Sequence, residues 1–278
     1  MPPVIFILSA AVFAQGTSEF ILSGLLDQIA RDTHVPLGTA GLLTSVFAVG
    51  MVIGAPVMTL AVNSIPARTS LVAFLTVFCA SHVVGALTND FALLMATRVL
   101  AAVANAGFLA VTLASLPAIV PEKTLTRATS TILAGVTLAC IVGVPAGTLL
   151  GQVFGWHAAF WAIAAITAAA AVPLSLGRKI VIRTDKVRWN LTDRNLAVGV
   201  LVNGGTFATF TYLGTMAGPT WSPLALALFG IGSFMGVTFS HRIKAGTTVL
   251  AGVWIGAAFA VHTVPGLLIA AFVVGASA

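Results

Sequence analysis

Two ionisable side chains lie inside long apolar runs of the sequence, Glu19 in the first run and Arg98 in the fourth. A charged group in a bilayer costs about 2.5 kcal/mol or more, so it persists where it is paired, protonated or facing a wet cavity. Counting about 1.5 Å per helical residue from the ends of the runs places both groups at nearly the same depth of a core about 30 Å thick. We therefore expect that Glu19 and Arg98 can meet.

Two interpretations of this pair remain open. In the first, Glu19 and Arg98 form a structural ion pair that holds two helices together. In the second, they couple transport to protons: Glu19 alternates between a proton and a cation or substrate, and Arg98 tunes its proton affinity. A proton that enters as a ligand leaves is antiport.

Polar and aromatic residues accompany the pair and could line a cavity. Gln15 and Ser23 lie four residues either side of Glu19, and Asn105 and Thr112 follow Arg98 at seven-residue steps. An apolar pocket with a few polar groups suits a small amphipathic ligand. The seventh run adds candidates that could equally face lipid: Asn203, Thr206, Phe207, Phe210 and Tyr212.

The composition is that of a membrane protein, with 59% hydrophobic and 7% charged residues, against about 25% charged in soluble domains. The apolar runs predict membrane spans at about 4–26, 38–62, 69–87, 91–120 (ending early at Pro117 or Pro121), 130–154, 158–176, 195–217 and 223–240, with a ninth span and the start of a tenth within 246–278. Eleven Lys and Arg fall in the loops on one side of these spans, and Arg31 alone on the other. This asymmetry predicts a multi-pass protein of the cytoplasmic (inner) membrane, with the N-terminus and the loop 178–194 in the cytoplasm.

Other functional classes find no support in the sequence. The net charge of +6 follows the loops and does not suggest nucleic acid. No nucleophile–base motif, phosphate-binding loop or metal constellation is present; His82 and His262 stand singly in spans, and Cys79 and Cys140 read as small apolar packers. We expect no enzyme, no metal and no cofactor, and as partners a small-molecule drug, protons and the lipid bilayer.

Small residues recur at every fourth position of the fifth span: Gly135, Ala139, Gly143, Gly147 and Gly151. Such a stripe lets another helix backbone approach closely in lipid, where hydrophobicity does not drive helices together. Pro145, within the same span, removes a backbone hydrogen bond and bends the axis. Plain helix packing would explain the stripe by itself.

The full string from Gly143 to Gly147, with Gly151, Gly155-Trp156 and Phe160, resembles the fifth-helix antiporter motif of the major facilitator superfamily. It is most similar to the drug:proton antiporter branch that includes chloramphenicol exporters and sugar efflux proteins. The segments GTSEF (16–20), GLLTSVFAVGMVIGAP (41–56) and TRVLAAVANAGFLAV (97–111) are also typical of that branch, and Arg98 matches its intramembrane arginine.

The resemblance implies an all-α bundle of twelve helices, of which about nine or ten are present. It divides the chain into an N-terminal six-helix bundle (1–177), a basic cytoplasmic linker (178–194) and an incomplete C-terminal bundle (195–278). The family's helices 11 and 12 are missing, so we expect a second chain or further helices to pair with the second span. The fifth helix normally packs on the eighth, whose Gly232 and Gly236 could meet the glycine stripe. The loop 63–68 departs from the family by keeping Arg68 alone of its usual charges.

The function that the resemblance implies is proton-coupled efflux of a small amphipathic drug by alternating access, with chloramphenicol as the first candidate. The alternatives are efflux of a sugar or nucleoside-type metabolite, or a non-transporting truncated remnant or membrane interaction subunit.

Overall fold

A computed structural model describes residues 1–61, 65–176, 194–239 and 263–277. Every regular element in these ranges is helical, which confirms the all-α class. The first half contains α1 Pro3–Phe20, α2 Leu22–Asp32, α3 Leu37–Ala40, α4 Leu42–Ala61, α5 Ala67–Leu87 and α6 Phe91–Ile119. The second contains α7 Glu122–Leu138, a π turn Ala139–Gly143, α8 Val144–Phe154, α9 Trp156–Leu176, α10 Arg194–Phe239 and α11 Val264–Ser277.

Six helical segments in the described part are long and apolar enough to cross a membrane: Pro3–Phe20, Leu37–Gly54, Ala67–Leu87, Phe91–Ile119, Glu122–Phe154 and Trp156–Leu176. They match the first six predicted spans. Large apolar side chains on the outside of the bundle include Phe6, Val52, Phe154 and Leu176, as expected where lipid tails replace water.

Several predicted helix ends were wrong. The predicted loop after residue 26 is helical, because α2 continues to Asp32. The fifth span begins at Glu122, eight residues before the predicted start at Ser130, since Pro121 caps the helix and Glu122 favours its first turn. Lys123 therefore lies on a helix and not in a loop. The fourth span runs through Pro117, so the predicted early end there was wrong, and it ends at Ile119, close to the predicted end at about 120 and before Pro121.

The fifth span changes its helical geometry ahead of Pro145. The N–H of Val144 donates to the carbonyl of Ala139, five residues earlier, and closes the π turn. Pro145 then stands in the first turn of α8, where its missing N–H is tolerated. Leu138, Gly143 and Val144 all keep right-handed helical backbone angles, so the span continues through a wide turn into α8.

The glycine stripe packs on α1 and α2. A Cβ placed at Gly135 would lie 2.5 Å from the Ser9 carbonyl oxygen and 3.1 Å from the Phe13 nitrogen. Gly143, Gly147 and Gly151 face Thr17, Ile21 and Leu25 in turn. The close-approach face of the stripe is therefore occupied by the first span, and the expectation that Gly232 and Gly236 meet it was wrong in this detail. The fifth span does contact the predicted eighth helix, but on another face, where Gly230 lies against Cys140.

The helix α10 has a break at Gly218, whose φ of 71° and ψ of 168° suit glycine, with Pro219 next. Its first part approaches the first span, where a Cβ at Gly214 would collide with the Ser23 carbonyl. Its second part reaches the π turn, where a Cβ at Gly230 would lie 2.6 Å from the Cys140 carbonyl carbon. Small residues thus bring α10 against both the first and the fifth spans.

The basic segment 178–193 and residues 240–262, which include His262, lie outside the described residues, and so do the surroundings of Gly236. The division into two bundles and a cytoplasmic linker stays a prediction.

Candidate functional site

Arg98 projects from α6 into the interior between α1 and α4, and 1% of its surface is exposed. Its Nη1 atom donates to the Ser18 hydroxyl at 2.9 Å, and its Nη2 atom donates to the Ser18 carbonyl at 3.0 Å. The guanidinium carbon lies 4.3 Å from the centre of the Phe47 ring, a distance at which a cation is attracted to the ring face. A buried charge needs such partners to offset its lost hydration.

Glu19 follows Ser18 on α1 and is partly exposed. Its carboxyl interacts with the side chain of Asn105 and electrostatically with Arg98. Among the described residues no ion pair joins Glu19 to Arg98, because both terminal nitrogens of the guanidinium bind Ser18. The structure therefore brings the predicted pair into one site, but through the neighbouring residue of α1 and not by direct contact.

A third buried group, His82 of α5, completes this arrangement. Its Nε2 atom lies 2.6 Å from the Ser18 hydroxyl, and its Nδ1 atom lies 2.8 Å from the Phe78 carbonyl. In the sequence His82 stands singly in its span, and nothing distinguishes Ser18 from the other serines of the apolar runs. Counting residues from the helix ends would have indicated that His82 and Arg98 lie at similar depths. His82 lies about as far from the end of α5 as Arg98 lies from the start of α6.

The predicted cavity residues separate into different settings. Gln15 and Thr112 are buried, and neither side chain has a hydrogen-bond partner; Asn105 binds Glu19. These three could serve a ligand. Ser23 donates to the Phe20 carbonyl at 2.7 Å, and its own carbonyl lies in the seam against Gly214; its cavity role stays a prediction.

On α10, Phe210 lies in an aromatic cluster, with ring centres 5.2 Å from Phe20 and 4.7 Å from Phe229. Phe20 follows Glu19 in the sequence, so this aromatic cluster joins the first span to α10 at the residue next to Glu19. Asn203, Thr206 and Phe207 belong to the same helix, but their side chains lie outside the described residues, as the cavity prediction for them does.

The helices and the interior charges define a class: a multi-pass α-helical membrane protein whose first, third and fourth spans enclose a polar site. The family model of the Major Facilitator Superfamily matches residues 8–278. The chain belongs to this superfamily, which confirms the family resemblance of the antiporter motif.

Relatives with recorded names agree with this membership. The chain is 44% identical to a chloramphenicol resistance protein of Streptomyces lividans over 88% of its length, covering 67% of that relative. It is 35% identical to the MFS-type transporter YtbD of Bacillus subtilis, covering 86% of this chain and 66% of that one. It is 32% identical to the inner membrane transport protein YdhP of Escherichia coli K12, with 86% and 67% covered. The chain thus spans about two thirds of the length of these relatives.

Solved structures show the same fold. A bacterial homologue of the human lysosomal transporter Spinster, in an inward-facing and occupied conformation, matches with a TM-score of 0.77 at 17% identity, over 99% of this chain and 72% of that one. A D-xylose–proton symporter matches with a TM-score of 0.73 at 12% identity, over 99% and 79%. The chain is a membrane transporter by family, built on a part of this fold.

Proposed function

We propose that the protein exports a small amphipathic drug across the cytoplasmic membrane in exchange for protons, with chloramphenicol as the first substrate to test. The observation that carries this proposal is the 44% identity to the Streptomyces lividans chloramphenicol resistance protein. The polar site supports the coupling, because it holds a carboxyl group deep in a membrane span.

Glu19 is the proposed proton carrier. It is partly exposed, so it can exchange a proton with water in a cavity, and Asn105 orients its carboxyl. Arg98 supplies a positive charge close by, without an ion pair that would hold the carboxylate permanently ionised. Binding of a proton at Glu19 and binding of the drug then compete in one site, which is the requirement for exchange.

The proposed orientation places the N-terminus and the segment 178–194 in the cytoplasm. The eleven Lys and Arg on the predicted inner side support this assignment. Rocking of the two bundles about a site near the bilayer midplane would expose Glu19 to each side in turn. The proton gradient, directed inward, would then drive the drug outward.

Inside-out membrane vesicles containing the protein as its natural gene encodes it test this proposal. With an acidic lumen, we expect radiolabelled chloramphenicol to accumulate above the outside concentration, and a protonophore should abolish the accumulation. Vesicles lacking the protein serve as the control. Accumulation that ignores the pH gradient would contradict proton coupling. A sugar or nucleoside accumulating in place of chloramphenicol would contradict the substrate assignment.

A further inference from the structure

Three buried side chains from three helices form a continuous hydrogen-bonded chain: His82 of α5, Ser18 of α1 and Arg98 of α6. None of them is more than 1% exposed. The two hydrogen bonds that join their side chains measure 2.6 Å and 2.9 Å, and both involve the single hydroxyl oxygen of Ser18. The Ser18 hydroxyl is therefore the joint between the histidine and the arginine.

The direction of each hydrogen bond follows from the groups at the two ends. The Phe78 carbonyl can only accept, so Nδ1 of His82 carries a hydrogen and donates it. In the neutral ring Nε2 is then an acceptor, and it takes the hydrogen of the Ser18 hydroxyl. The guanidinium of Arg98 can only donate, so it binds a lone pair of the same oxygen. The two hydrogen bonds at the Ser18 oxygen are therefore compatible with each other, while the Nε atom of Arg98 is buried without a partner.

Ser18 differs in its hydrogen bond from Thr17, its neighbour on α1, and from Ser81, the neighbour of His82 on α5. A hydroxyl in a membrane helix commonly donates to a carbonyl of the preceding turn. Thr17 donates in this way to Phe13, and Ser81 donates to Val77. Ser18 donates instead to His82, on another helix. The imidazole thus keeps the Ser18 hydroxyl turned away from the backbone of α1.

We propose that His82 is a positioning residue for the coupling site: it holds the Ser18 hydroxyl so that Arg98 stays bound to Ser18, beside Glu19 but not paired with it. Without the acceptor at Nε2, the Ser18 hydroxyl turns to its own helix and Arg98 loses one of its two hydrogen bonds to Ser18. The guanidinium then moves to the Glu19 carboxylate and holds it ionised, which slows proton binding. This role rests on the proposed function of Glu19.

Replacing His82 by glutamine or by asparagine distinguishes a positioning role of this residue from a packing role. His82→Gln can place its amide oxygen near the position of Nε2, whereas the shorter His82→Asn cannot reach Ser18. We expect His82→Gln to retain the maximal rate of proton-driven chloramphenicol accumulation within about twofold, and His82→Asn to lose about tenfold or more, as small misplacements in active sites do. Rates are normalised to folded protein. Equal rates for the two variants would overturn the proposal.

Ser18→Ala tests the same hydroxyl independently of the His82 ring, which also packs against the Phe78 ring with centres 4.3 Å apart. We expect a loss of about tenfold or more, while the matched control Ser81→Ala, which removes a hydroxyl bound to its own helix, stays near the parent rate. If both amide variants at position 82 fail to fold, this comparison decides: a rate for Ser18→Ala within about twofold of the control overturns the proposal.

Thermal unfolding separates this inference from the proposed function. A parent protein that moves no chloramphenicol contradicts the proposed function alone, and the hydrogen-bonded chain is then judged by the midpoint temperatures of Ser18→Ala, His82→Asn and the double variant. Two residues in one network are non-additive, so we expect the double variant to lose no more than the larger single loss. Losses that add would overturn the proposal.

Discussion

Glu19 and Glu122 are the two glutamates of the chain, and they occupy opposite settings. Glu122 is exposed in the first turn of α7, where a negative charge is favourable. Glu19 lies near the end of α1, inside the bundle, and interacts with Asn105 and with the charge of Arg98. A glutamate carboxyl group thus stabilises the start of a helix at position 122 and is a candidate proton carrier at position 19.

We predict that Glu19→Gln abolishes accumulation of chloramphenicol against its gradient, because the amide keeps the size and hydrogen bonding of the side chain but cannot release a proton. Downhill movement of the drug should survive. Glu122→Gln is the matched control and should accumulate the drug at the parent rate. The measurement is uptake by inside-out vesicles with an acidic lumen, normalised to folded protein.

The outcome also distinguishes coupling from a structural role. If Glu19 serves only to neutralise Arg98, then Glu19→Gln leaves a buried charge unbalanced and the folded yield falls. Removing the charge of Arg98 as well should then restore the yield, as replacing both members of a buried pair often does. Accumulation by Glu19→Gln at the parent rate would contradict the coupling role.

The charged part of the site could be predicted from the sequence, since a charge inside an apolar run is conspicuous and its depth can be counted. The neutral part could not be assigned in the same way. A serine in a membrane helix is usually satisfied by its own backbone, as Ser81 is. Ser18 instead binds His82 and Arg98. These contacts depend on how three helices pack together, which cannot be predicted from the sequence of one span.

At the scale of helices, small residues allow the fifth span to pack closely on the first. The glycines of this seam differ in the atoms that they face. Gly135 faces the backbone of Ser9 and Phe13, which cannot retreat without moving α1. Gly147 faces the end of the Ile21 side chain, which can rotate away. The small-residue stripe therefore contacts a rigid backbone at Gly135 and a movable side chain at Gly147.

We predict that Gly135→Ala lowers the unfolding temperature and the folded yield, because overpacking a fixed backbone contact costs about 1–3 kcal/mol. Gly147→Ala is the matched control on the same seam and should lower the unfolding temperature much less. Both can be measured on detergent-solubilised protein by thermal unfolding. An equal loss in the two variants would show that the contact with α1 is uniformly flexible or uniformly rigid.

The existence and order of the first six spans could be predicted because a long apolar run has few alternatives in a bilayer. Their ends could not be placed as well. Polar residues such as Asp32 and Lys123 resemble a loop in composition, yet helices in a membrane protein continue past the hydrocarbon region. The partner of the glycine stripe also escaped prediction, since a small-residue face does not specify which helix covers it.

At the scale of the whole molecule, α10 joins the later part of the chain to the first bundle at two levels. One contact is at Gly214 against the Ser23 carbonyl, and the other is at Gly230 against Cys140. The Phe20–Phe210 ring pair, with centres 5.2 Å apart, also joins α1 to α10. The proposed rocking between bundles would have to loosen these contacts, all of which involve the first or fifth span.

We predict that the segment 178–194 faces the cytoplasm, because its cations are the largest contribution to the inside bias. In a background with Cys79 and Cys140 replaced by alanine, Thr184→Cys should resist a membrane-impermeant thiol reagent in intact cells. Asn89→Cys, in the predicted outer loop before α6, is the matched control and should react. Labelling at position 184 from outside would reverse the orientation of the protein.

The π turn Ala139–Gly143 keeps the glycine seam in phase with the helix it faces. Residues four apart on a regular α-helix drift by about 40° per step, so the stripe from Gly135 to Gly151 would wind about 160° around the axis. A π turn accommodates one extra residue and takes back about 100° of that rotation. The turn therefore corrects the helical phase: a segment of the same length wound as a regular α-helix would preserve every glycine and still rotate Gly143, Gly147 and Gly151 by about 100° relative to Gly135. Removing one residue together with the π turn would leave these glycines in phase, so the helical geometry of this segment carries information that its composition does not.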